Sequence, residues 1–131
     1  MFFIDSSVWI EYFRPRGSAK IKEKVRGLLE AGVVVVCGVV LIEILRGAKN
    51  KKDFEQLYES LSSLPQLPID EEVIKRASRW GFEMGRKGKV VSTTDLIITS
   101  AAYKKAKLLH VDSDFKLITE FFDLEQEMLS I

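Results

Sequence analysis

The residues best suited to chemistry in this chain are acids: Asp5, Glu43, Asp95, Asp112 and Asp114, far apart in sequence but similarly placed in their local patterns. Asp5 ends the apolar run Phe2-Phe3-Ile4, and Asp112 ends Leu108-Leu109-His110-Val111, with Asp114 close behind. Asp95 follows Ser92-Thr93-Thr94 where an apolar helical stretch begins, and Glu43 lies early in the helix after Val33–Val36. Ligands of an open parallel sheet bind outside the carboxyl ends of its strands, so acids where strands stop are candidates for one shared site. Taken singly, Asp5, Asp95 and Asp112 equally fit helix caps or partners of a helix dipole. Glu43 is different: Val39, Val40, Leu41, Ile42, Ile44 and Leu45 surround it, and a lone buried carboxylate costs on the order of several kcal/mol unless paired or protonated. Carboxylates that converge repel one another unless a divalent cation neutralises them. Oxygen donors, with a single cysteine and a single histidine in the chain, argue against structural zinc and for Mg²⁺ or Mn²⁺. Such an ion acidifies its water and polarises a phosphoryl oxygen, which is the chemistry of phosphodiester hydrolysis.

The elements that must position these acids alternate between strand and helix. Phe2-Phe3-Ile4 reads as a strand, and Ser6-Ser7 open a helix through Val8, Trp9, Ile10, Tyr12 and Phe13 that Arg14-Pro15-Arg16-Gly17 breaks. Residues 18 to 31 carry Ile21, Val25, Leu28 and Leu29 at helical spacing, ending near Gly32. Val33 to Val36 form a β-branched run of the kind buried on both faces in a parallel sheet. A helix over about 39–48 and another over 51–63 follow, the latter with Phe54, Leu57, Tyr58 and Leu61 on one face. Pro65 and Pro68 keep 64–69 extended, and Asp70 caps a helix running to the Gly85–Gly88 region. After the Asp95 helix come a strand at 107–111, a short helix from Phe115, and a last edge strand expected around Phe121, Phe122 and Leu124. Strands alternating with helices imply a parallel sheet covered by helices, and 131 residues suit one domain, 1–131.

Composition narrows the function classes. With 47% hydrophobic and 30% charged residues the chain is neither disordered nor membrane-like. Its longest apolar run, Val33 to Leu45, contains Glu43 and falls short of the roughly 20 residues a spanning helix needs. No secretory pattern opens the sequence, so a cytoplasmic place is expected. Cys37 lies in an apolar stretch and reads as a small core residue. A formal net charge of +1 leaves any nucleic-acid partner to local basic patches. Arg46 and Lys49 after Glu43, and Arg86 and Lys89 before Asp95, are the candidates, against the alternative of solvated helix ends.

Together the segments F-I-D-S-S-V-W-I-E-Y-F, V-V-L-I-E-I-L-R-G-A, S-T-T-D-L-I-I-T-S-A-A and L-L-H-V-D-S-D-F-K-L-I, in this order over nearly the whole chain, resemble the successive motifs of VapC-type PIN domains. The resemblance implies a three-layer α/β/α fold with a mostly parallel sheet of four to five strands. It also implies a Mg²⁺- or Mn²⁺-dependent endoribonuclease acting as the toxin of a type II toxin-antitoxin system. Asp5, Glu43, Asp95 and Asp112 match the family's acidic positions, with Asp114 as an auxiliary carboxylate. Ser6 matches a small hydroxyl position that could orient a water or an Asp5 oxygen, a helix cap being the equal alternative. His110 stands where many relatives carry threonine, and packs or supports the site. The implied partners are RNA, a cognate VapB-type antitoxin and a second copy of the chain, in a homodimer that becomes a heterotetramer or larger with antitoxin. Trp9 and Tyr12 could stack on bases, although core or dimer packing suits them better.

Other classes make different demands. A receiver-like phosphoacceptor domain wants an acidic pair at the first strand, where Asp5 is followed by Ser6 and Ser7. A haloacid-dehalogenase-type phosphatase wants a second aspartate two positions after the first, where Ser7 stands. A PIN-like module without catalysis would hold RNA without cutting it, yet all the acids are present.

Overall fold

In the computed structural model, which describes residues 1–131, the chain opens with β1 (Phe2–Ile4), α1 (Ser6–Phe13), α2 (Ala19–Glu30) and β2 (Val34–Val35). There follow α3 (Gly38–Leu45), α4 (Lys51–Ser62), α5 (Glu71–Arg86), α6 (Thr93–Ala102), β3 (Lys107–His110), α7 (Asp114–Phe121) and β4 (Gln126–Met128). The strands form one four-stranded sheet in the order β2-β1-β3-β4, and every pairing is parallel. Because successive side chains of a strand point to opposite faces, the fully buried pairs Phe3 and Ile4 in β1 and Leu108 and Leu109 in β3 show that both faces are covered. Each such side chain contributes about 1.5–3 kcal/mol on leaving water, and 27 buried residues join into one contiguous core. No helix is long and apolar enough to cross a membrane.

The strand order decides where a ligand can sit. From β1 the chain crosses to β2 on one side, whereas from β3 it crosses to β4 on the other. The carboxyl ends of the adjacent strands β1 and β3 therefore flank the switch point at which a parallel sheet opens a crevice. Asp5 follows the first of these strands and Asp112 lies just past the second.

Local signals set most element boundaries. Asn50, Asp70 and Ser92 cap α4, α5 and α6 by accepting from the backbone N–H groups of Asp53, Val73 and Asp95. At the end of α5, Gly88 adopts a φ of 75°, with Gly88 N–H donating to Gly85 O (3.0 Å) and Lys89 N–H to Met84 O (2.9 Å). That is a Schellman closure, which favours glycine in the left-handed position. The extended 64–69 connection lies beside Val36: Val36 N–H donates to Pro65 O (3.0 Å) and Leu67 N–H to Val36 O (2.7 Å). Only an isolated bridge between Val36 and Gln66 results, so the expected range of four to five strands resolves to four.

The last strand departs from expectation. Phe121 ends α7, Phe122 stacks on Trp80 with ring centroids 4.4 Å apart, and the strand forms further on at Gln126–Met128. The aromatic pair is held by helix α5 rather than by the sheet. The strand itself is a half-exposed edge of mixed polarity that carries no apolar run to reveal it. The α4 face also differs: Leu61 is buried, but Phe54 and Tyr58 are exposed and stack on each other.

Candidate active site

Asp5 is placed by two pieces of local chemistry. Its backbone N–H extends the β1 to β3 ladder by donating to Leu109 O (2.9 Å), and its side chain caps α1 by accepting from Ser7 N–H at 3.1 Å. The Ser7 hydroxyl donates to the same oxygen, Oδ2, at 2.6 Å. Asp5 is buried, and these bonds give its carboxyl the partners that a buried polar group requires.

Glu43 comes from α3, a helix almost wholly apolar in sequence. Its Oε1 is sealed from solvent and has no hydrogen-bond partner. Burial pushes its carboxyl above the ordinary range; Asp5 and Asp95 push further, while a Ser6 hydrogen bond and Arg46 oppose them. Asp95 sits in the first turn of α6, where its N–H donates to the Ser92 hydroxyl (3.1 Å). Burial raises its carboxyl too; a Ser92 hydrogen bond works against this, and Asp5, Asp112 and Asp114 add repulsion. Asp112 is half-buried and accepts the Asp114 N–H at Oδ1 (2.9 Å), whereas Asp114 is exposed.

The tertiary fold thus brings Asp5, Asp112, Asp114 and Glu43 within electrostatic reach of Asp95, and Asp5 within reach of Glu43, beside the β1/β3 switch point. As they stand, no three His, Cys, Asp or Glu side chains close around a single point. The donor set still suits a hard cation. Mg²⁺ keeps several waters and takes only one or two carboxylates directly, and here a sealed, partnerless Glu43 oxygen lies among repelling carboxylates that a cation would relieve. Beside Asp95 a cleft of about 330 Å³ opens between Val90, Val91 and Ser92 on one side and Ser113, Asp114 and Leu117 on the other.

Hydroxyl placement differs from the sequence expectation. The hydroxyl on Asp5 belongs to Ser7, while Ser6 lies near Glu43 and works against the rise of its carboxyl. Ser7 was not singled out from sequence; its signal was its place two residues after the capping acid, where side-chain turns form. Of the basic candidates, Arg46 acts on Glu43. Arg86 lies over the Phe82 ring of its own helix, and Lys49 and Lys89 are exposed and form no ion pair. Cys37 is fully buried among apolar residues, and burial raises its thiol against the opposing backbone of Val40 and Val39, with Glu43 and Asp5 adding to the rise. His110 is buried, with Nε2 2.7 Å from Gln126 Oε1 on β4 and its ring tilted against Phe115. Trp9 is buried and stacked on Phe13, which rules out base stacking by that ring.

Comparison with known proteins identifies the frame that holds these acids. The PIN domain family model matches residues 2–120. The chain is a PIN-domain protein. The receiver-like and dehalogenase-like readings fall with that assignment. This PIN domain is 35% identical over 130 residues to ribonuclease VapC11 of Mycobacterium tuberculosis, covering 95% of this chain and 96% of the relative. It is similar at the same level to VapC ribonuclease Mb1587 of Mycobacterium bovis. Among solved structures it resembles a chain of the VapBC2 complex from Rickettsia felis bound to a promoter DNA fragment. There the TM-score is 0.79 at 19% identity, with 98% of both chains covered, a likeness of fold.

Proposed function

We propose that this PIN domain is a Mg²⁺- or Mn²⁺-dependent endoribonuclease and the toxin of a type II toxin-antitoxin pair. The observation that carries the reading is the sealed Glu43 oxygen left without a partner amid Asp5 and Asp95, beside the switch point of a parallel sheet. The relatives named as VapC ribonucleases, similar over 95% of the chain, support the same activity.

Asp5, Glu43, Asp95 and Asp112 would hold the cation, directly or through its waters, with Asp114 at the rim. When bound, the ion supplies the Lewis acidity that makes water a nucleophile near neutral pH and offsets charge on the phosphoryl group. The chain's own groups do the positioning. Ser7 and the α1 backbone orient Asp5, Ser6 near Glu43 favours its charged form, and Ser92 anchors the first turn of α6 and so Asp95. The cleft between Val90 and Leu117 gives a nucleotide next to the scissile phosphate a place to lie. Arg46, Lys49, Arg86 and Lys89 would meet the phosphate backbone, contacts that position a strand without reading its sequence.

We further propose that the chain acts in the cytoplasm as a homodimer. A VapB-type antitoxin silences it, in a heterotetramer or larger assembly. Expression of the chain alone should stop growth and degrade RNA, and co-expression of its antitoxin should reverse both effects. The purified protein should cut RNA only with Mg²⁺ or Mn²⁺ present. Cleavage that persists in excess chelator would overturn the metal-dependent mechanism.

A further inference from the structure

Ser7 is the one side chain that ties the first acid to the strand end on the far side of the crevice. Its hydroxyl lies 2.6 Å from Asp5 Oδ2 and 3.3 Å from the backbone nitrogen of Val111. Val111 N–H can only donate, so the Ser7 oxygen accepts there and its single proton goes to Asp5. The direction of both bonds follows from chemistry alone. The Ser7 N–H also donates to Oδ2, so the hydrogen bonds of Asp5 concentrate on one oxygen and leave Oδ1 for another ligand.

We propose that Ser7 is a positioning residue: it holds Asp5 in one orientation and pins the end of β3, which leads into Asp112, against the start of α1. The inference rests on the nuclease reading above and deepens it. A helix-capping role alone accounts for the N–H bond to Asp5, which any residue at position 7 would make. The hydroxyl adds the bridge to Val111, across 104 positions of sequence.

The test uses Ser7→Ala, Ser7→Cys and Ser7→Thr in the full chain. Mn²⁺ affinity is read by electron paramagnetic resonance, RNA cleavage by kcat and KM, and folding by melting temperature. Removing a group that orients a metal ligand typically weakens affinity or activity about 10–100-fold. Ser7→Ala is expected to weaken Mn²⁺ binding and lower kcat in that range while leaving KM for RNA nearly unchanged. Ser7→Cys, close in shape but a weak donor, should fall in between, and keeps the test open should the alanine variant not fold. Ser7→Thr retains the hydroxyl and should restore both readouts. A folded Ser7→Ala or Ser7→Cys variant with wild-type Mn²⁺ affinity and kcat overturns the role of Ser7 alone. Wild-type protein that binds no Mn²⁺ overturns the nuclease reading, and this inference with it.

Discussion

Glu11 and Glu43 are the same residue type on two short helices that follow parallel strands, yet their surroundings are opposite. Glu11, near the end of α1, is buried and fully engaged: Arg14 donates to Oε2 and Ser18 N–H to Oε1 at 3.2 Å. The chain turns tightly enough over Glu11 that a Cβ on Gly17 would overlap its carbonyl oxygen, so Gly17 is required there. Glu43, in α3, has an oxygen sealed from solvent with nothing to bond and two acids pressing on it. One carboxylate stabilises the fold that surrounds it; the other is held at a cost. Perturbed, unsatisfied carboxylates of the second kind mark sites of function more often than supports of structure.

The contrast can be broken by exchanging the consequences of mutation. The largest expected effect is on activity: Asp95→Asn or Glu43→Gln should lower kcat/KM by at least about a hundredfold, near 2.7 kcal/mol of transition-state stabilisation. Circular dichroism of both variants should remain that of wild type. An active Glu43→Gln variant would place the chemistry elsewhere. The next effect is on stability. Glu11→Ala orphans the Ser18 N–H and frees Arg14, and should cost about 1–3 kcal/mol in urea melts. Cleavage well below its melting point should be unaffected; if Glu11→Ala is instead as stable as wild type, the two carboxylates do not differ as described.

A smaller effect sharpens the comparison through its sign. Burial and like charge raise the Glu43 and Asp95 carboxyls, so the metal-free fold binds protons more tightly than the unfolded chain does. That contribution to stability is complete below the ordinary carboxylate pKa of about 4 and is lost as pH rises through the raised values. Metal-free Glu43→Gln should therefore be more stable than wild type near neutral pH, read as a higher Tm. The gain should shrink toward acid pH and when Mg²⁺ is added. A Glu43→Gln variant less stable than wild type at neutral pH would mean that Glu43 is partnered after all. The smallest effect concerns the basic positions. Lys89→Ala or Arg86→Ala should weaken RNA binding by roughly 1 kcal/mol or less and flatten its salt dependence, without changing where RNA is cut. An unchanged salt slope would return these residues to ordinary solvated surface.

Much of the candidate site is legible because its signals are local. Asp5 could be read as the residue where an apolar run meets a pair of helix-capping serines, and Asp95 as the acid just inside a Ser-Thr-Thr helix start. Glu43 stood out by contrast with apolar neighbours on both sides. The last strand lies beyond the expected position because Phe121-Phe122 carries the stronger β signal, while Gln126–Met128 pairs as an edge through backbone bonds, a His110–Gln126 contact and a Lys107–Glu127 ion pair. Ser7 and Glu11 escaped notice for a related reason: each is polar, near a helix end, and unremarkable until its distant or turning partner is known.

The order of residues alone determined the helices, the first three strands, where the acids fall relative to them, and most of the caps that start the helices, because periodicity and capping act over a few residues. Only the tertiary structure decided that β1 and β3 lie side by side, which oxygen of Asp5 is taken, and that Glu43 is left wanting while Glu11 is satisfied. The acids that press on Glu43 come from elements brought together by the β2-β1-β3-β4 order, whereas Glu11 and the Asp5 oxygen are settled by side-chain placement in nearby turns; parallel pairing across long connections leaves no mark on the local pattern of either strand.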